Sequence, residues 1–241
     1  MAAQKSERAL SEWQSGELNA GLSEVRPQVF RAAFGMPDHF PFSYRIALLL
    51  GLMLVVSLVD FYRNGARAGK FREYGFIIIT GAVGGAVGFV NDLVTSSISP
   101  EYFILGKGLE DGPELRIQAG LFGLRVGFSA GVIGGAVCLY ASRRKSAFPP
   151  PPFSRLFRML WMPVAGAILC GIALPLGFSK FDPAQFSGQL DTLMSAGEIN
   201  RFRQVWWTHV GLYAGMVVGL TAMILRAAKE RKIPAAVNPS G

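Results

Sequence analysis

The chain is short of charge. Asp, Glu, Lys and Arg supply 17% of its 241 residues, against about 25% in soluble domains, and the shortfall argues for lipid as the surrounding solvent. Cysteine is scarce too. Cys138 and Cys170 both fall inside apolar runs, which reads as two buried thiols and indicates neither a disulfide nor a metal site. No phosphate-binding glycine loop is present, no paired carboxylates sit within an apolar segment, and Ser129 and Ser195 have no histidine at an informative spacing. Those absences leave no catalytic constellation, so enzymatic activity is disfavoured and no cofactor is expected. The first forty residues lack an apolar run, which argues against a cleavable signal peptide.

What is present is hydrophobic: 51% apolar residues and 29 glycines, with a mean hydropathy of +0.34. The net charge of +8 raises the question of nucleic acid. The basic residues, however, cluster in short links between apolar segments, and no nucleic-acid-binding module is legible. The lipid bilayer is the expected partner.

Residues 1–42 read as a polar N-terminal tail, mobile or holding a weak amphipathic helix on Leu10, Trp13, Leu18 and Leu22. An all-α transmembrane bundle is expected over 43–232, followed by a short tail, 233–241. Its spans are placed at about 46–62, 74–92, 115–141, 156–178 and 203–228. The first is the weakest, because Ile46–Val59 is shorter than the ~20 residues that cross a ~30 Å hydrocarbon core. A short surface helix is expected in 179–202, where Pro183 follows Asp182. The links 63–72 and 142–158 and the tail from Arg226 are basic, whereas 96–114 and 179–202 hold Glu101, Glu110, Asp111, Glu114, Asp182, Asp191 and Glu198. By the positive-inside rule the basic links and the C-terminus are cytoplasmic in the cell (inner) membrane, with 96–114 and 179–202 external. If the first segment spans, the N-terminal tail is external.

Glycines recur every fourth residue. Gly123, Gly127, Gly131 and Gly135 line the third helix; Gly81 and Gly85, with Gly84 and Gly88, mark the second; Gly211, Gly215 and Gly219 mark the fifth. In lipid, such small-residue stripes let helices approach closely, either within one chain or between copies.

The polar residues of interest are Asp92, Glu101, Tyr102, Arg125 and His209, all assigned to the external end. Asp92 follows the second helix, where it can cap loop amides, and Glu101 can cap a short helix after Pro100. Arg125 lies deep in the third helix and points away from the Gly123/Gly127 face. Asp92 is the partner expected to meet it, with snorkelling to the headgroups as the alternative. Carboxylates with a histidine suit a proton or metal site, but a purely structural role, in caps and local hydrogen bonds, is the favoured reading.

The runs Asp92, Val94, Thr95 and Ser99-Pro100-Glu101-Tyr102-Phe103, with Trp206, Trp207, His209, Tyr213 and Gly215, resemble a group of bacterial multi-pass membrane proteins of uncharacterised activity. The resemblance covers about residues 74–230. A histidine often precedes the aspartate in that group, and Asn91 stands there in this chain. The resemblance implies a membrane bundle and carries no activity with it. Together these features favour a structural or accessory subunit of a membrane assembly, held to a protein partner or to further copies of itself. The alternative is a small transporter or channel that uses the Asp92, Arg125 and His209 region.

Overall fold

A computed structural model describes residues 41–143, 151–183 and 190–231. The chain divides into two compact units, Met1–Ile46 and Ala47–Gly241. Only residues 41–46 of the first are described, so both expected polar tails lie outside the described residues. Among the described residues the structure is all helical, and five helices are long and apolar enough to cross a membrane. The chain is therefore a multi-pass integral membrane protein.

Helix α1 spans Phe42–Asn64. The apolar run was too short to cross, but its polar and aromatic flanks continue the helix. The resulting 23 residues rise about 34 Å, enough for the hydrocarbon core. The link that follows is a tight one. Gly65 takes the left-handed φ of +54° that favours glycine, and the Asp60 carboxylate accepts hydrogen bonds from the backbone N–H groups of Gly69 and Lys70, both 2.9 Å. Those amides open helix α2, Lys70–Ile98, so an acid from α1 caps the positive end of the next helix.

Helix α2 ends where Ser99 turns extended before Pro100. Helix α3, Pro100–Lys107, starts at once: Ser99 Oγ accepts from the Tyr102 N–H, Pro100 fills the first turn, and Gly108 closes the end at φ +67°. Helix α4 is Leu115–Arg143. The fourth span is broken into α5, Phe153–Met159, and α6, Trp161–Phe178. The break lies just before Pro163, which has no N–H to bond back to Met159. The expected surface helix is a single turn among the described residues, α7, Leu190–Leu193. Helix α8, Ala196–Arg231, begins seven residues before the expected Arg203. Its start is a capping box, in which Glu198 Oε2 accepts from the Ser195 N–H and Oγ at 2.8 Å.

Four helices form two antiparallel pairs, α2 with α4 and α6 with α8, and each pair packs far more closely within itself than against the other. A Cβ added at Gly84, Gly88, Gly123, Gly127 or Gly131 would run into a backbone carbonyl of the facing helix. The same holds in the second pair for Gly166, Gly211, Gly215 and Gly219. These glycine faces therefore meet within one chain. Gly81 and Gly135 face side chains, those of Val132 and Thr80, and a Cβ added at Gly85 would lie 3.3 Å from the Leu124 carbonyl oxygen. Two apolar clusters join the pairs, one at each end. Phe76, Cys138, Leu139, Leu156 and Met223 lie at the end of the basic links, and Tyr102, Phe103, Leu115, Ile199 and Phe202 at the other.

Candidate functional site

Helix α2 runs on to Ile98, so Asp92 lies inside it rather than after it. This corrects the expected loop-capping role. Asp92 is buried, 4% exposed, and meets His209 of α8: the Oδ1 to Nε2 distance is 2.9 Å. Asn91 donates from Nδ2 to the same oxygen at 2.9 Å and lies 3.3 Å from His209 Nε2. Gly123 makes room for the carboxylate, because a Cβ there would sit 2.6 Å from Asp92 Cγ. The glycine stripe thus serves the site as well as the helix contact.

The imidazole fixes the proton count. His209 Nδ1 lies 2.8 Å from the Val205 carbonyl oxygen, which can only accept, so Nδ1 carries a hydrogen. The contact at Nε2 then needs a second one. Either His209 is an imidazolium donating to a carboxylate, or Asp92 is a carboxylic acid donating to a neutral ring. Both arrangements are neutral as a pair and differ by the transfer of one proton across 2.9 Å.

Aromatic side chains cover the pair on the side of α3. Tyr102 stacks on His209 with centroids 4.7 Å apart, Phe103 meets it edge-on at 5.9 Å, and Phe202 and Trp206 extend the layer. Lys107 Nζ lies 5.4 Å above the Tyr102 ring and 5.5 Å from that of Phe122. Burial draws the Lys107 pKa below its ordinary value, an effect that Asp92 opposes. Burial also holds the Tyr102 hydroxyl far above the usual phenol range, with Tyr213 and Asp92 adding to the shift.

On the opposite side lies a cavity of about 90 Å³ between the two helix pairs, with Asn91, Asp92, His209 and Tyr213 at one end and Phe76, Cys138 and Met223 at the other. Tyr213 was expected only as part of a motif. It is four residues after His209 and so shares its helix face, a spacing that would have found it in the sequence.

Two of the five expected residues fall elsewhere. Glu101 accepts from Ser99 Oγ at 2.8 Å and from Arg201 at 3.5 Å, which makes it part of the α3 start. Arg125 is exposed on α4 and forms no ion pair among the described residues, so the expected Asp92–Arg125 contact does not form. Arg125 faces away from the α2 seam, whereas Asp92 faces into it. No group of three or more His, Cys, Asp or Glu side chains able to hold a metal occurs among the described residues. The chain matches no family model, no curated protein and no solved structure.

Proposed function

We propose that this protein is a small proton-linked membrane carrier, and that the Asp92–His209 pair is its proton-binding group. The observation that carries this reading is the buried pair itself. Ionisable side chains inside a span are expensive and usually mark an ion, proton or substrate path. Here one partner comes from each helix pair, so relative motion of the pairs would make or break the contact and release or take up the shared proton. Among the alternatives raised by the sequence, this supports the transporter over the accessory subunit, with His209 kept beside Asp92 and Tyr213 in place of Arg125 among the site residues. The carrier sits in the cell membrane with 63–72, 142–158 and the C-terminus cytoplasmic, an orientation supported by the basic links. Alkaline phosphatase fused after Lys107 should be active and after Lys145 inactive; the reverse overturns that orientation.

The test of the carrier is proton entry into proteoliposomes, driven by a potassium diffusion potential and read with an internal pH dye. The wild type and Arg125→Gln should admit protons and Asp92→Asn should not. Entry equal to that of protein-free liposomes, or undiminished in Asp92→Asn, sinks the reading. One observation favours an accessory role instead: α1 leaves Leu48, Leu52, Val55 and Leu58 exposed, a face that either lipid or another protein covers. A stoichiometric partner retained through mild detergent extraction would support it.

A further inference from the structure

A pair that carries a proton has to be able to lose it, and the loss creates a conflict at the 2.9 Å contact between Asp92 Oδ1 and His209 Nε2. His209 Nδ1 keeps its hydrogen for the Val205 carbonyl, so Nε2 is left with a bare lone pair. A carboxylate oxygen also only accepts. Two acceptors then face each other, and an anion lies buried beside an apolar cavity. Asn91 reaches both atoms. Its Nδ2 lies 2.9 Å from Asp92 Oδ1 and 3.3 Å from His209 Nε2, and an amide nitrogen carries two hydrogens. While the shared proton is present, one of these hydrogens goes to Oδ1. The other finds no lone pair at Nε2, which either holds its own hydrogen or accepts that of the acid. Once the proton has gone, both hydrogens have acceptors, one in the ionised carboxylate and one in the bare imidazole nitrogen.

We propose that Asn91 is the positioning residue for proton release: its amide bridges Asp92 and His209 once the shared proton has left, and so favours the release. The inference rests on the carrier reading and names the residue that makes its proton-binding group reversible. With the bridge in place, the two acceptors are held without a replacement cation. Asn91 lies next to Asp92 on α2, so the amide stays with the carboxylate if the helix pairs shift. The other titratable groups around the pair are Tyr102 and Lys107 of α3 and Tyr213 of α8. Glu101 of α3 is engaged with Ser99 and Arg201. Helices α4 and α6 line the cavity with glycine, alanine, valine and proline, and with Cys138 at its far end, while Arg125 points away. The positive charge of Lys107 also favours loss of the proton, but it acts on the pair whether or not residue 91 carries an amide.

The experiment is a pH titration of His209 in the purified full-length protein, read from the nitrogen NMR shift of its labelled Nε2. The chain has two histidines, so His39→Gln leaves a single imidazole to follow. Asn91→Leu is similar in size and has no donor. It should move half-release upward by about one pH unit, a tenfold tighter hold on the proton, as the loss of one hydrogen bond made on release requires. Asn91→Asp keeps the shape, loses both amide hydrogens and adds a carboxylate, so its shift should be upward and at least as large. It carries the test if Asn91→Leu does not fold. The pH profile of proton entry into proteoliposomes should move upward with the titration. Half-release unchanged in both variants, a downward shift, or a wild-type pair that keeps its proton until the protein unfolds would each overturn the proposal. A lower unfolding midpoint with an unmoved titration would make Asn91 a packing residue. A shifted titration without proton entry would keep the role of Asn91 and remove the carrier, and entry with an unshifted titration would do the reverse.

Discussion

The seam inside each helix pair and the seam between the pairs are built from different residues. Within α2/α4 and within α6/α8, glycines bring backbone against backbone, and a Cβ added at Gly84, Gly88, Gly123, Gly127 or Gly131, or at Gly166, Gly211, Gly215 or Gly219, would overlap a facing carbonyl. Between the pairs, aromatic clusters join the two ends, as where Phe76 meets Phe157 at 5.2 Å and Tyr102 meets Phe202 at 5.6 Å. The middle stands apart and leaves the cavity. Lipid provides no hydrophobic drive between helices, so close dispersion contact has to supply it, and glycine seams maximise that contact. The comparison assigns two roles. The glycine seams hold each pair together, and the looser seam between the pairs is the one that Asp92 and His209 bridge.

The largest effect should come from breaking a tight seam. Gly127→Leu would force its Cβ into the Gly84 carbonyl and cost about 4 kcal/mol, on the scale of severe overpacking. Leu124→Ala, three residues away on a surface 38% exposed, should cost under about 1 kcal/mol. Thermal midpoints in detergent measure both. Equal midpoints would mean that the two seams do not differ as the glycines suggest.

That seam was legible in the sequence because a four-residue glycine period needs no knowledge of the partner helix. The spans were legible from their apolar runs. Helix ends were not. Asn91, Asp92, Thr95 and Ser96 read as a polar exit from the membrane, yet Thr95 and Ser96 return their hydroxyls to the Asn91 and Leu93 carbonyls, and α2 continues through them. The early start of α8 is written in the sequence as Ser195-x-x-Glu198, but in a polar loop that spacing does not stand out from its surroundings. Asp92, Tyr102 and His209 could be grouped by which end of the bundle they occupy. Their pairing could not, because it depends on how each helix is turned about its axis, and apolar composition leaves that angle open in spans surrounded by lipid.

A second prediction sharpens the contrast at the looser seam. Removing one partner of a buried pair leaves the other uncompensated, so Asp92→Asn and His209→Phe should each cost about 3 kcal/mol. The double variant should cost less than the sum of the singles by about 1.5 kcal/mol or more, the coupling expected of a direct buried contact. A double-mutant cycle on detergent unfolding reads this. Additive losses would separate Asp92 from His209 and remove the proton-sharing pair from the site.

The smallest effect is expected from Arg125, and it isolates what the loose seam contains. Two residues along a helix turn it about 200°, so a side chain at 125 points away from the face on which Gly123 admits Asp92. Arg125 is exposed and its long stem can carry the guanidinium toward the headgroups. Replacing it with leucine removes a charge that contacts neither Asp92 nor the cavity, and should change stability by about 0.5 kcal/mol or less. In the Asp92→Asn background the same substitution should add nothing beyond its own small effect, because sites without shared partners behave independently. A rescue of Asp92→Asn by Arg125→Leu would require the two groups to meet in some state of the protein. That state would need α4 turned by roughly half a revolution about its axis, which the glycine seam of Gly123, Gly127 and Gly131 opposes, so the additivity of this one pair also measures how rigid the first hairpin is.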